Sequence, residues 1–273
     1  MPDLNSAHSF LFVPGDRPER FTKAASSGAH AIIIDLEDAV APEDKTGARS
    51  NILTYLDTVK DENVLVRIND AESAYYEKDL LVAKHSRLSG VILPKANKRH
   101  VTALVNKLDR PVWPLVETIL GVSEVAEFAR LPNVARLLLG TIDLSLEMRL
   151  DMAHPAGQAM LDQARFRLVS ESGLAKLAAP VDGVFPSLED ETGLADAAQY
   201  ARASGMGGMM CIHPRQIRAV NAAFSPTEAE LEWAQAVIAT SVTEKSSFRF
   251  RGQMVDKPVL IRAKTILSSQ EAA

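Results

Sequence analysis

A barrel of eight parallel strands with helices around it, the (β/α)8 fold, is what three observations on the 273-residue sequence predict. Eight short apolar runs follow one another along the chain. Longer segments with helical spacing separate most of them. The runs are nearly continuous in valine, isoleucine and leucine, as strands covered on both faces are. Alternation of strand and helix implies parallel pairing through right-handed crossovers, and the chain length suits a barrel of about 250 residues. An open doubly wound sheet shares the alternation, but it usually opens with a glycine-rich first turn. The first turn here, VPGDRPER, is not G-x-G-x-x-G.

The runs are SFLFVPG (9–15), AIIIDLED (31–38), VLVRIND (64–70), GVILPKA (90–96), PVWPLVET (111–118) and VARLLLGTID (134–143), then PVDGVFPS (180–187) and GGMMCIHP (207–214). Helices are expected over Pro18–Ser27, Lys45–Thr58, Lys98–Leu108 and Leu120–Ala129. A late helix over Thr227–Thr243 opens with SPTEAE, a capping pattern with acids in the first turn. DMAHPAGQAM (151–160) reads as a long loop after the sixth strand. The tail over 246–267 reads as a short hairpin or extended piece leading to a last helix. The expected division is a barrel domain over 1–245 and a C-terminal lid or helix segment over 246–273 that carries Asp256.

The composition, 47% hydrophobic and 24% charged, is that of a soluble globular chain with a sizeable core. A net charge of −5 disfavours broad electrostatic binding to nucleic acid or to an anionic membrane. No apolar run approaches the roughly 20 residues that span a bilayer. The N-terminus has neither a basic lead nor a long apolar core, and a cytoplasmic location is expected. The lone cysteine, Cys211, excludes an intrachain disulfide and reads as core, as do Met206, Met209 and Met210. His100 and His154 are expected at the surface, and His213 at a strand end before Pro214.

The charges fall where such a barrel keeps its chemistry, at the carboxyl ends of the strands. The second run ends in Asp35, Glu37 and Asp38, and the third contains Arg67, Asn69 and Asp70. Lys95 closes the fourth, Glu117 the fifth, and Gly140, Thr141, Ile142 and Asp143 the sixth. A buried charge is costly unless it is paired or binds a metal. Glu117 and Asp143, on adjacent strand ends, would offer two carboxylates and leave open positions for water and substrate oxygens, which suits Mg²⁺. Neither imidazole nor thiolate lies near them, as a transition metal would more often require. Arg67 could grip a substrate carboxylate in a fork. An ion-pair network at the rim is the competing explanation, and Glu37, Asp38 and Lys95 suit it as well as they suit substrate contact. Arg17, Arg20 and Lys23 sit at the first strand–helix junction, where phosphate could bind or a helix face be solvated.

The ordered motifs FLFVPGDRPERFTKA, AIIIDLEDAVAPEDKTGAR, VRIN, VILPKA, LVET, GTIDL, CIHPRQI and GQMVDKPVL resemble the citrate lyase beta subunit-like proteins of the HpcH/HpaI aldolase superfamily, from about residue 9 to 267. The resemblance implies a TIM barrel, a Mg²⁺ ion held by Glu117 and Asp143, and a homotrimer or hexamer. It also implies cleavage of a (3S)-hydroxyacyl-CoA into acetyl-CoA and a 2-oxo acid, which would be pyruvate, oxaloacetate or glyoxylate. Arg67 would contact the substrate carbonyl region, and the amides near Gly140–Asp143 its carboxylate. Asp256 in MVDKP matches the family's acid/base aspartate, which in relatives can reach a neighbouring subunit's site. Relatives read roughly G-x-x-D-L-A-x-D-L-G in the sixth loop. Here the segment is GTIDLSLEMRLD, with Glu147 and Met148 in the later positions, and the eighth strand opens on GGMMCIHP without the relatives' Gly-Lys. These departures bear on substrate choice and on CoA contacts. Citramalyl-CoA is the favoured substrate, ahead of citryl- and malyl-CoA. A citrate lyase subunit needing a carrier partner, a CoA-independent 2-oxo acid aldolase and a catalytically silent binding subunit are the other readings.

Overall fold

The computed structural model describes residues 3–59, 63–242 and 247–271. Eight parallel strands close into a barrel in sequence order: β1 (Ser9–Pro14), β2 (Ala31–Asp35), β3 (Val64–Arg67), β4 (Gly90–Leu93), β5 (Val112–Val116), β6 (Leu138–Leu139), β7 (Val181–Asp182) and β8 (Gly208–Cys211). The helices around it are α1 (Phe21–Ala25), α2 (Lys45–Thr58), α3 (Tyr76–Ala83), α4 (Lys98–Val105), α5 (Ile119–Phe128), α6 (Thr141–Glu147), α7 (Pro155–Ala175), α8 (Glu191–Ala203) and α9 (Pro214–Phe224). Then come α10 (Glu228–Ser241), the antiparallel pair β9 (Phe248–Phe250) and β10 (Gln253–Val255), and α11 (Lys257–Glu271). All eight runs supply strands, though β6 and β7 are two residues each. The expected hairpin and last helix are both present. The expected division after residue 245 falls outside the described residues.

The alternating strand residues divide the core in two. Phe10, Ile33, Leu65, Ile92, Trp113 and Leu138 fill the barrel, while Leu11, Ile32, Ile34, Val64, Val66 and Val91 pack outward against the helices. A third cluster, of Ala234, Val237, Phe248, Val255, Ala263 and Ile266, joins α10, the hairpin and α11. Arg202 on α8 pairs with Glu230 on α10 at 3.0 Å, beside the Thr227–Glu230 capping box that the sequence signals. Among the described residues no helix is long and apolar enough to cross a membrane.

Two expectations need correction. Residues 151–160 are a loop only as far as His154, whose Nδ1 accepts the Ala156 amide and caps α7. Pro155 and Gly157 suggest a loop, but proline is favoured in the first helical position, and a Cβ on Gly157 would strike the Asp151 carbonyl. His100 is buried, with its ring bonded to the Asn97 side chain that caps α4. His213 does sit at the strand end, as the cap of α9, and Cys211, Met206, Met209 and Met210 are buried as expected.

Below the barrel, His8 donates its amide to His30 Nδ1 at 2.9 Å, binds the Gly207 carbonyl through its own Nδ1 at 2.8 Å, and stacks on Phe224. Burial holds both imidazoles below the usual histidine range, and His8 lowers His30 further. A histidine with a depressed folded pKa takes up protons more readily when unfolded, so stability falls as pH drops through and below about 6.5. The thermal midpoint is expected to fall between pH 7 and pH 5. A scan of His8→Asn, which can keep a donor to Gly207, should show a flatter slope over that range.

Candidate active site

Parallel register assembles the charged rim. Asp35 and Arg67 are partners across β2 and β3, so the two residues that end these strands lie side by side. Arg67 Nε and Nη2 donate to the two oxygens of Asp35, each at 2.7 Å. Asp35 also accepts the amides of Glu37 and Ala39, each at 3.0 Å, and is fully buried. Burial alone would raise its pKa, but Arg67 and these amides hold it below the ordinary carboxylate range. Burial would likewise lower the Arg67 guanidinium, and Asp35 and Glu37 outweigh it. With two nitrogens committed to Asp35, Arg67 turns Nη1 to Glu37 Oε2 at 3.0 Å and to Asp38 Oδ2 at 3.7 Å. Its guanidinium also lies 4.9 Å from the centre of the Phe12 ring.

Opposite, Glu117 follows the last residue of β5, and its Oε1 accepts the Lys95 amide at 2.8 Å. Lys95 takes a left-handed backbone (φ 47°), uncommon for a residue with a side chain, and its amide makes this bond. Its ammonium stands 3.6 Å from both Glu37 Oε1 and Asp70 Oδ2 and is half exposed. Leu115 and Val116 pair with Leu138 and Leu139, and the Gly140 amide donates to the Val116 carbonyl, which sets Gly140 beside Glu117. A Cβ on Gly140 would stand 2.6 Å from Glu117 Oε2. Thr141, Ile142 and Asp143 then form the first turn of α6. Glu147, at a departing position of the sixth loop, accepts the Ile119 amide at 2.8 Å and ties α6 to the start of α5.

Asp35, Asp38, Arg67, Glu117 and residues 140–143 line a cavity of about 420 Å³ in the barrel mouth. Its charged wall is Asp35, Asp38, Arg67, Glu117 and Asp143, and its apolar wall includes Phe12, Leu115, Val184, Met210 and Ile212. Burial, then the charge of Glu37, pushes Glu117 up to about 8, with Asp143 adding to the rise. Burial pushes Glu37 up to about 7 against the pull of Arg67, and Asp38 and Asp35 add to it. Glu37 Oε2 is buried without a properly directed hydrogen bond, its approach to Arg67 being an ion pair only. The pocket is short of positive charge, and its donors are oxygens. That fits a hard divalent cation held by two carboxylates with the remaining positions open. Among the described residues no three histidine, cysteine or carboxylate side chains form a ready metal cage.

The structure thus brings together Arg67, Glu117, Gly140, Thr141, Ile142, Asp143 and Asp38 around one cavity, with Glu37 and Lys95 against its charged wall. It does not bring in Asp256, which is exposed and accepts the Val259 amide at the start of α11. Arg17, Arg20 and Lys23 are exposed after β1, the first two beside Asp16 and Glu19, and none lines the cavity. The Gly140→Ala variant is expected to weaken Mg²⁺ binding about 10–100-fold, because the new methyl displaces the Glu117 carboxylate. Calorimetric titration with Mg²⁺ measures it.

The model of the HpcH/HpaI aldolase/citrate lyase family matches residues 8–214. The chain belongs to that family. A citrate lyase subunit beta-like protein of Mycobacterium tuberculosis is 38% identical over 263 residues, covering 94% of this chain and 93% of the relative. A (3S)-malyl-CoA thioesterase of Cereibacter sphaeroides is 32% identical, covering 98% and 97%. The crystal structure of CitE from M. tuberculosis in complex with magnesium, acetoacetate and coenzyme A superposes with a TM-score of 0.86 at 35% identity, covering 98% of this chain and all of that one.

Proposed function

We propose that this member of the family is a Mg²⁺-dependent carbon–carbon lyase that cleaves a (3S)-hydroxyacyl-CoA, citramalyl-CoA in the first place, into acetyl-CoA and pyruvate. The observation that carries the reading is the barrel-mouth cavity itself. A buried Glu117 raised to about 8 and an adjacent Asp143 face an arginine clamped by three carboxylates. Glu117 and Asp143 would hold the ion, as magnesium is held in the M. tuberculosis complex by a chain of this fold. When bound, Mg²⁺ supplies Lewis-acid polarisation of the oxygens on the 2-oxo acid portion.

The remaining chemistry falls to side chains. The hydroxyl on C3 loses its proton, the C2–C3 bond breaks to leave a ketone at C3, and the electron pair passes into the thioester enolate. Return of a proton to C2 completes acetyl-CoA. Arg67, fixed by Asp35, faces the enolate oxygen, where a fixed cation is most useful as charge develops. The first amides of α6, near Gly140–Asp143, receive the substrate carboxylate. Asp256 carries the proton, within its own subunit or in the site of a neighbour, in a homotrimer or hexamer. Among the described residues Arg67 is the only cation lining the cavity, and it already has three carboxylate partners. The apolar wall of Phe12, Leu115, Val184 and Met210 suits a methyl on C3 better than the carboxymethyl of citryl-CoA. Lys95, half exposed behind Glu37, favours the third carboxylate of citrate.

The deciding experiment supplies purified protein and Mg²⁺ with citramalyl-, citryl- and malyl-CoA in parallel, scoring acetyl-CoA and free CoA with and without EDTA. Mg²⁺-dependent release of acetyl-CoA from citramalyl-CoA is the expected result. Free CoA without a 2-oxo acid would make the chain a thioesterase, and silence on all three would favour a carrier-dependent subunit or a CoA-independent aldolase. Asp256→Asn is expected to lower kcat by about 10²–10⁴ while leaving Mg²⁺ binding unchanged. Turnover within a few-fold of the parent would remove Asp256 from the mechanism.

A further inference from the structure

Lys45 violates two local rules. It opens α2, where a cation meets the positive end of the helix. It is also buried, at 6% exposure, and pairs with no carboxylate among the described residues. Its ammonium instead donates to two consecutive carbonyls, Leu36 at 2.8 Å and Glu37 at 2.9 Å. A second donor reaches the Leu36 carbonyl, Nδ2 of Asn69 at 2.8 Å. Asn69 in turn gives its backbone amide (2.8 Å) and Nδ2 (2.6 Å) to Asp79 Oδ2, and the other oxygen of Asp79 takes Arg49 Nη1 at 2.9 Å. All four side chains are buried, Asp79 completely. Where local preference is broken at a buried position, a compensating role is the physical expectation.

We propose that Lys45, with Asn69, Asp79 and Arg49, forms a positioning network that orients the peptide units at Leu36 and Glu37 and through them the Nη1 edge of Arg67. The geometry gives the route. The two carbonyls held by Lys45 belong to the turn from which Glu37 and Asp38 meet Arg67 Nη1. Asn69 lies two residues beyond Arg67, so the same chain of bonds ties the ends of β2 and β3 together behind the cavity. Asp35 fixes two nitrogens of the guanidinium, and the network fixes what meets the third. A buried polar chain of this kind acts as a unit when every member is satisfied. The effect on turnover rests on the lyase reading above, whereas the effect on the turn does not.

Lys45→Met tests it, with Asn69→Ala as the second variant should the first fail to fold. Peptide-resolved hydrogen exchange over residues 36–40 is expected to speed up by about tenfold or more in either variant, with the β4–β5 strands unchanged. Unchanged exchange at 36–40 would overturn the network. With the thioester that the parent enzyme cleaves, kcat should fall by about 10–100-fold with little change in KM. Lys45→Met combined with Arg67→Lys should lose no more than Arg67→Lys alone, since both act through one guanidinium. Losses that multiply would overturn the route through Arg67. A parent inactive on all three thioesters, but with the exchange result as expected, would refute the lyase reading and support the network.

Discussion

Glu117→Gln is expected to abolish magnesium-dependent turnover while leaving the protein as stable as before or more stable. The glutamine keeps an oxygen for the Lys95 amide, which Glu117 Oε1 now accepts at 2.8 Å. What it removes is a negative charge that burial and Glu37 already disfavour, enough to raise the carboxyl from its ordinary value of 4.5 to about 8. A carboxylate whose folded pKa lies above its unfolded value holds extra protons in the folded state, so stability declines as pH rises from about 4.5 toward 8. Without metal, the parent therefore carries a penalty at neutral pH on the order of 1–3 kcal/mol, which the amide escapes. Added Mg²⁺ offsets that penalty by mass action in the parent and has little to bind in the variant. On the proposed assignment of Glu117 as one of two Mg²⁺ ligands, its loss is expected to lower activity by about a thousandfold or more, equivalent to roughly 4 kcal/mol of transition-state stabilisation. Thermal melts with and without Mg²⁺, beside the cleavage assay, check both halves. A Glu117→Gln protein still stabilised by Mg²⁺ to the parent's extent would remove Glu117 as a ligand.

The barrel was legible because its signal is local and repeated. A strand buried on both faces needs an unbroken apolar run, and Ala31–Asp35 or Val112–Val116 show one plainly. Charges at the ends of such runs then had to meet, since closure of the sheet carries every strand end to one rim. What stayed hidden depends on register or on residues far apart in sequence. That Asp35 would grip Arg67 with both oxygens follows from their pairing across β2 and β3, which no single run discloses. Beyond a lysine in the first turn of a helix, nothing in the sequence marks Lys45, Arg49 and Asp79 as interior, and only packing shows three charged side chains there. The segment after β6 misled for the opposite reason, because proline and glycine punctuate loops and also begin helices. For Asp256 the motif and the geometry of the single chain point to different places, and only a measurement joins them.

Arg67→Lys is the companion case, in which activity and stability are expected to fall together. The guanidinium spends Nε and Nη2 on Asp35 at 2.7 Å each, and only Nη1 turns toward Glu37 and Asp38. Lysine presents one compact ammonium on a flexible stem and cannot span both tasks, so charge conservation does not preserve the site. If the ammonium stays with Asp35, nothing meets the enolate of the proposed reaction. If it moves to the substrate, Asp35 is left buried with only its amide donors. Leaving one member of a buried pair poorly matched costs about 3–5 kcal/mol. Removing the fixed donor from the developing oxyanion costs about 10²–10³ in kcat. Glu117 and Asp143 are untouched, so Mg²⁺ should still shift the melting temperature of Arg67→Lys, which separates this variant from Glu117→Gln. A variant that melts several degrees lower yet turns over within threefold of the parent would make Arg67 a structural clamp alone, and the stabilising charge would then have to come from the ammonium of Lys95.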